Sequence, residues 1–560
     1  MFGEININGH TTDFENNFKY GGYTLIYNGE LYNAPELCRE LALPADCPDA
    51  EIFIKAYIKW GEKCLEKFNG AFSLAIWEEA GKRLFCARDK IGAKPFFYAR
   101  TGESFIFSPD ITDILKKVRA EIDAQSIAEI ILIGPGRTPG YSIFKNIAEL
   151  PPGFYGIFEN RVFKSFGYWD LADNEHTDNF GQTVEKVRWL VLDSIKRRLE
   201  GRVCAFLSGG LDSSLITSAA AKYFKERGLT LRAFSVDYLD NMKYFTANRF
   251  QPENDAKYIE RMKDYLLAQD INFEHNRIIL DNRQLADSLY EAVEARGLPG
   301  MADIDASLLL FCREVKKTAP TALSGESADE IFGGYPWYRD KRMRERYGFP
   351  WSQSTEFRKS FFGKDFADLK ANAESYVNER YNQAVAQADT SLTSNKTDKR
   401  MKELVNLNMK WFMQTLFERQ DKMSKTGGGL NIRAPFCDYR IAEYLYNVPW
   451  EYKDYNNTEK GLLRAAARGL LPQEILWRKK SPFPKTHNPE YLGAVSKMLA
   501  EIINEPSSPL LKIADKHVLA NLIANAPDTA WYGQLMNSPQ VIAYFVQINY
   551  WLSKYKIRII

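Results

Sequence analysis

Short apolar runs separated by turn residues dominate the first part of the chain. Tyr23-Thr24-Leu25-Ile26-Tyr27 predicts a strand that ends in a turn at Asn28-Gly29-Glu30. Residues 71–77, 83–88 and 95–98 predict three more strands. Ile52, Phe53, Ala56 and Tyr57 recur at helical spacing, which predicts a helix over 49–60 with Asp49 as its cap. These elements describe an α+β domain with an antiparallel sheet. By themselves they specify no activity.

The pattern changes after the proline–glycine turn at Pro151-Pro152-Gly153 and the polar run 173–179. Residues 183–199 read as an amphipathic helix. Apolar strand patterns then recur at 203–207, 231–236, 271–279 and 321–323, with helical stretches between them, one from about Asp255. Such alternation predicts a parallel sheet with helices on both faces. Beyond Trp337 the chain reads as helical and rich in aromatic residues. The expected fold class is α/β: an α+β sheet domain over 1–160, then a parallel-sheet domain over 180–560 with a helical C-terminal part.

Composition narrows the function classes. At 560 residues the chain is long enough for more than one domain. It is 45% hydrophobic and 26% charged, as expected of a soluble globular enzyme. A net charge of +2 supplies no field for nucleic acid and no polybasic patch for a membrane. The 7 cysteines are scattered and odd in number, which argues for reduced thiols and a cytoplasmic setting. The polar N-terminal stretch is no signal peptide, and no apolar run approaches membrane-spanning length. The 5 histidines do not cluster at zinc-ligand spacing. A homodimer is allowed, but nothing in the sequence requires one.

Candidate chemistry concentrates at Phe206-Leu207-Ser208-Gly209-Gly210-Leu211-Asp212-Ser213-Ser214, a strand–turn–helix joint. Gly209 and Gly210 let the backbone bend and turn its amides outward. Ser213 and Ser214 stand where the first helical turn leaves amides unpaired, so the stretch forms an anion cradle. Asp212 puts a carboxylate into that cradle, which is reasonable when a cation bridges it to phosphates. The Gly-Lys-Ser/Thr ending of a Walker loop is missing. In such sheets ligands sit at the carboxyl ends of strands. Leu207-Ser208, Val236 and Ser324-Gly325 fall there, and an adenosine could lie across all three. The contact of Val236 with adenine is a role equally open to any core valine. After Ser324-Gly325, the carboxylates of Glu326, Asp329 and Glu330 are costly unless solvated or bound to cations. A solvated acidic helix start is the alternative.

The Ser-Gly-Gly-x-Asp-Ser pattern resembles the pyrophosphate loop of ATP pyrophosphatases. Those enzymes cleave ATP between the α and β phosphates and adenylate a carbonyl oxygen. Tyr27–Asn33, Asp49-Ala50-Glu51, Phe68–Phe72 and Ala87–Pro95 resemble the glutaminase half of the class-B, glutamine-type asparagine synthetases, an N-terminal-nucleophile amidohydrolase. Residues 296–307 and 323–335, Asp421-Lys422-Met423-Ser424, Arg433–Asp438 and Lys460-Gly461-Leu462-Leu463-Arg464 resemble the synthetase half of that family. The resemblance implies ATP and Mg²⁺ as cofactors, with aspartate and free or glutamine-derived ammonia as partners. It assigns ATP to Leu207, Ser208, Gly209, Gly210, Asp212, Ser213, Val236, Ser324 and Gly325, and Mg²⁺ to Asp212 and Asp329. Glu326 would lie by the acyl phosphate and serve the ammonia, and Tyr335 would line the pocket. Lys460 would reach the α-phosphate and offset the charge that grows as pyrophosphate leaves. Residues 478–485 could be a phosphate-side loop or a basic surface turn. Asn28, Gly29, Glu30 and Asp49 would be what remains of a glutamine site.

Two departures from the family stand in the first domain. The family nucleophile is a cysteine at the second residue, whose own amine is the general base; here that place holds Phe2. The family's Arg-His-Arg-Gly-Pro-Asp segment and its carboxylate-binding arginine strand are also missing between residues 4 and 23. The expectation is a glutaminase fold without glutaminase chemistry; an altered start of an ordinary enzyme is the alternative. The expected reaction is ATP-dependent amidation of aspartate through an acyl-adenylate. β-Lactam synthetases and lasso-peptide cyclases also resemble this family and lack the terminal cysteine. The segment from Gly297 to Asp305 and the Lys460 motif favour the asparagine synthetases over them. Retention of Asp212, Asp329 and Lys460 speaks against a non-catalytic regulatory partner.

Overall fold

Alternating large apolar side chains place the strands Tyr23–Leu31, Gly70–Glu78 and Arg83–Arg88 side by side, antiparallel and buried on both faces. The computed structural model describes residues 2–6, 11–15, 17–245, 253–481, 483–527 and 529–560. Met1 and Pro482 lie outside the described residues. The chain divides into two units, one formed by residues up to Ile130 with Gly136–Asp170 and Lys554–Ile560, the other by Ile131–Pro135 and Leu171–Ser553.

The first unit holds two antiparallel sheets rather than the single one that the pattern predicts. A six-stranded sheet runs Val162–Gly167, Phe154–Glu159, Arg83–Arg88, Gly70–Glu78, Tyr23–Leu31, Phe18–Tyr20. A five-stranded sheet runs Ile147–Glu149, Phe97–Arg100, Ser104–Ser108, Gly3–Asn6, Thr11–Phe14. Period-two alternation gives the six-stranded sheet two apolar faces. Ile26, Trp77 and Cys86 meet Ile5, Phe105 and Phe107 of the other sheet. Leu25, Phe72 and Ile76 meet Ile52, Phe53, Ala56 and Tyr57 of the helix Asp49–Trp60. The strand predicted at 95–98 forms as Phe97–Arg100 and belongs to the five-stranded sheet. Arg558–Ile559 pairs in parallel with Glu121–Ile122 in a separate two-stranded sheet of this unit.

Two local features differ from the sequence pattern. The strand does not end at Asn28-Gly29-Glu30 but continues to Leu31, with those residues opposite Ser73, Phe72 and Ala71. Gly29 makes this possible: it holds φ +127°, and a Cβ there would stand 1.9 Å from the Ala71 carbonyl oxygen. Asp49 does not cap its own helix. Pro48 occupies the cap position, and Asp49 Oδ2 accepts the Leu31 amide at 2.9 Å.

The second unit is built on five parallel strands in the order Phe273–Leu280, Leu231–Tyr238, Val203–Phe206, Thr321–Leu323, Asn431–Arg433. The first four are the predicted ones, Thr321–Leu323 with the predicted bounds and the other three with shifted ends; Asn431–Arg433 is an addition. Connections leave Val203–Phe206 towards Leu231–Tyr238 on one side, while Thr321–Leu323 lies on the other. The sheet therefore has its topological switch point between Val203–Phe206 and Thr321–Leu323, where ligand crevices form. The helix after the glycine turn, Leu211–Lys225, buries Leu215, Ile216, Ala220 and Phe224. The predicted amphipathic helix forms as Phe180–Arg197, closed by a capping box between Asn179 and Gln182. The remainder is helical, including Ala367–Val385, Met413–Thr426 and Ser538–Lys554. Among the described residues, no helix is long and apolar enough to cross a membrane.

Candidate active site

A pocket of the second unit opens at that switch point. Leu207, Ser208, Gly210, Asp212 and Ser213 line it from the first strand end, Val236 from the second, and Ser324, Gly325, Glu326 and Asp329 from the third. Gly209 holds φ +71°, which turns the chain between strand and helix. Gly210 is the helix N-cap, so Asp212 and Ser213 stand in the first turn. The Ser213 hydroxyl accepts the Ser208 amide at 3.1 Å and lies 3.0 Å from the Ser208 hydroxyl. The loop is thus pre-shaped by its own serines.

Lys460 is the centre of the charge arrangement. It precedes the helix Gly461–Ala466 in a left-handed conformation, φ +54°, and is 3% exposed. Its ammonium lies 2.6 Å from Asp212 Oδ2 and 2.8 Å from Asp329 Oδ1. Asp329 Oδ2 takes a second ammonium, Lys480, at 3.0 Å. Burial raises the Asp212 carboxyl above its ordinary value, opposed by Lys460 and reinforced by the Asp329 charge. Asp329 is also desolvated, but its two lysine partners prevail and hold it below the ordinary value. Burial opposes the charge on Lys460, and the two carboxylates outweigh it and raise its value.

Asp212 Oδ1 is buried without a hydrogen-bond partner. That free oxygen suits a cation, and Mg²⁺ is commonly held by one or two carboxylates together with substrate phosphates. Among the described residues there is no group of three or more His, Cys, Asp and Glu that could hold a metal ion alone. A divalent ion here would therefore rest on Asp212, Asp329 and the phosphates, and the lysine contacts of Asp329 would have to give way.

The stretch 478–481, with Phe483 and Pro484, is part of the pocket rather than a surface turn. Arg478, Lys479, Lys480, Ser481, Phe483 and Pro484 line it. Arg478 pairs with Asp255 and reaches the Ser208 carbonyl at 3.5 Å. Arg464 ties the Lys460 helix to this segment by donating to the Leu476 carbonyl at 2.5 Å and the Arg478 carbonyl at 2.9 Å.

Beyond Glu326 the pocket changes character. Glu326 Oε1 accepts from Arg419 at 2.6 Å. Arg419 is 2% exposed, and its Nε and Nη1 have no hydrogen-bond partner. Tyr335 lines the same region but uses its hydroxyl on Glu330, at 2.6 Å. Burial pushes the Glu330 carboxyl up to about 8, helped by Asp329 and opposed by the Tyr335 bond. Phe412, Tyr532, Gly533, Gln534 and Leu535 complete the wall. Of the segment 296–307 only Met301 lines the pocket. Its charged members lie behind, with Arg296 paired to Glu418 at 2.8 Å and to Asp305 at 3.5 Å. Asp421 and Lys422 likewise do not line it, whereas their neighbours Arg419 and Gln420 do. Sequence reasoning missed Arg419 and the stretch from Tyr532 to Leu535. A helix-interior arginine and an aromatic loop carry no local signature; position within the fold reveals both.

Asn28, Gly29, Glu30 and Asp49 come together in the first unit. Asn28 and Glu30 alternate on one face of their strand, the Tyr32 hydroxyl donates to Glu30 at 3.3 Å, and Asp49 anchors the next amide. Phe2 is 6% exposed.

The sequence profile of the asparagine synthase family matches residues 186–553, and that of the glutamine amidotransferase domain matches residues 15–169. Glutamine-hydrolyzing asparagine synthetase 3 of Bacillus subtilis (strain 168) is 43% identical over 569 residues, spanning 99% of this chain and 91% of that one. Glutamine-hydrolyzing asparagine synthetase 1 of the same organism is 27% identical over 503 residues, 82% of this chain and 76% of that one. A putative glutamine-hydrolyzing asparagine synthetase 2 of Methanocaldococcus jannaschii is 29% identical over 320 residues, 56% of this chain and 58% of that one.

Proposed function

The chain belongs to the asparagine synthase family, and from that premise we propose that its second unit adenylates the side-chain carboxylate of aspartate and passes it to ammonia. The products would be asparagine, AMP and pyrophosphate. One observation carries the reading: a buried ammonium, Lys460, sits between two carboxylates at the mouth of a glycine-turned anion loop.

The residues divide the work. Leu207, Ser208, Gly209, Gly210 and Ser213 form the strand–turn–helix joint that cradles the phosphates at a helix N-terminus, with the Leu207 and Ser208 amides committed to the Phe234 carbonyl and the Ser213 hydroxyl. Val236, Ser324 and Gly325 bound the nucleoside at the neighbouring strand ends. Asp212 and Asp329 would hold Mg²⁺, which would supply positive charge to offset that on the leaving pyrophosphate. Lys460 stabilises the charge that develops at the α-phosphate, a contribution that grows in a water-poor pocket. Glu326, fixed by Arg419, faces the acyl group where ammonia arrives, and Tyr335 walls that region. The work is positioning and electrostatics rather than covalent chemistry on the protein.

Nitrogen would arrive as free ammonia or by glutamine hydrolysis in the first unit, at Asn28, Gly29, Glu30 and Asp49. Comparing ammonium with glutamine as donor separates the two. The reaction itself is tested by aspartate-dependent exchange of labelled pyrophosphate into ATP. Exchange with aspartate supports adenylation; exchange only with a larger acid that carries its own amine would move the chain to the cyclising enzymes.

A further inference from the structure

The pocket has three sectors. On the ligase reading the glycine loop, Asp329 and Lys460, which line the pocket, make the phosphate sector, and Val236 with its neighbouring strand ends makes the nucleoside sector. An acid joined to the α-phosphate must extend into the third, past Glu326. There a hairpin contributes to the lining, its Tyr532 packed on Phe412, which in turn contacts Tyr335. We propose that the hairpin from Trp531 to Met536 is the gauge that decides which carboxylic acid fits, with Gln534 and Leu535 as its sensing side chains. This rests on the ligase reading above and names the specificity element of the same site.

The base of the hairpin is rigid. The Trp531 amide donates to the Met536 carbonyl at 2.8 Å, and the Gly533 amide donates to the Trp351 carbonyl at 2.8 Å. Tyr532 stacks on Phe412 with ring centres 5.2 Å apart, and its hydroxyl lies 3.1 Å from that of Thr415. Arg358 holds the base from behind. It is fully buried, lies 4.2 Å from the Trp531 ring centre, and donates to the carbonyls of Trp531, Ile131 and Gly134. Among the described residues it has no carboxylate partner: Nη1 and Nη2 donate to those backbone carbonyls, and Nε donates to the Ser354 hydroxyl at 3.4 Å.

The tip is different. Gln534 and Leu535 are only half-buried and line the pocket, whereas Trp531, Tyr532 and Met536 are buried. A rigid base with two pocket-lining tip side chains is a stop of fixed depth. Shortening a tip side chain lengthens the pocket without loosening its frame. One methylene in an apolar pocket changes discrimination by about 10- to 200-fold.

The test uses the full chain and its Leu535→Ala and Gln534→Ala variants, in labelled pyrophosphate–ATP exchange with aspartate, glutamate and 2-aminoadipate. For Leu535→Ala, the glutamate-to-aspartate ratio of kcat/KM is expected to rise about tenfold or more, with KM for ATP within about twofold of the parent. Thermal unfolding should stay at the parent temperature, because the altered side chains are half-exposed. Ratios unchanged in both variants, with the parent active on aspartate, would overturn the gauge and leave the ligase reading standing. A parent inactive with all three acids would overturn the ligase reading, and the gauge with it.

Discussion

The ammonium of Lys460 stands 2.6 Å from Asp212 Oδ2. The two residues are far apart in sequence and meet because one follows the first strand and the other starts a late helix. Asp329 and Lys480 complete the cluster, so two cations face two anions in a buried site. The charges cancel locally. In the proposed reaction, nucleotide and Mg²⁺ would redistribute these pairs: the carboxylates would serve the metal and the ammoniums the phosphates.

Lys460→Ala should lower turnover by roughly a hundredfold or more, the scale of losing one charge-stabilising group in a transition state. KM for ATP should change less, because the loop amides remain. Steady-state kinetics at saturating ATP decide this, and an unchanged turnover would reduce the lysine to a structural ion pair.

Asp212→Asn should abolish AMP formation while thermal unfolding stays close to that of the parent. The amide keeps the shape of the side chain but loses the anionic oxygen now left without a partner. A variant that turns over normally at saturating Mg²⁺ would remove this residue from metal binding.

Asp303 predicts a pH effect on stability. It is 2% exposed, and burial pushes its carboxyl from 3.8 up to about 6, against a weak opposing bond from Gln540. Between those values the folded chain keeps a proton that the unfolded chain has released. Its contribution therefore favours folding most at the acid end and is lost as pH rises through about 6, by on the order of 3 kcal/mol. Asp303→Asn should remove that slope. Urea midpoints of variant and parent should converge near pH 4 and favour the variant near pH 7, at roughly the scale expected from this linkage. Parallel curves would show that the carboxyl titrates alike in both states.

Gly29→Ala should destabilise the first unit by about 2 kcal/mol or more, since it adds backbone strain to a clash with the neighbouring strand. The added Cβ would stand 1.9 Å from the Ala71 carbonyl oxygen. Hydrogen exchange at the amides of Tyr23–Leu31 should accelerate, while amides of the parallel sheet keep their protection.

What the sequence made legible was local. Val203–Phe206 and the glycine turn could be read because strand, turn and helix follow one another within a few residues. Lys460 is different: a lone lysine before an apolar helix looks like any surface residue, and only the family motif singled it out. Asn431–Arg433 escaped because its place in the sheet depends on pairing with Thr321–Leu323, far away in sequence. Arg419 and Leu535 escaped because their meaning is purely spatial. The Asn28-Gly29-Glu30 triplet misled for the opposite reason. Its composition marks a turn, yet Gly29 uses its freedom to stay inside a strand.

The chain crosses between its two units at 130/131, 135/136, 170/171 and 553/554. Neither unit is therefore a contiguous cassette. Proteolysis after Asp170 would strip the first unit of Arg558–Ile559 and the second of Ile131–Pro135, whose carbonyls Arg358 binds. Each piece would carry a vacancy that only the other can fill. The two halves should behave as complementing fragments that regain native stability when mixed, and modular exchange with a relative would need every crossing matched at once.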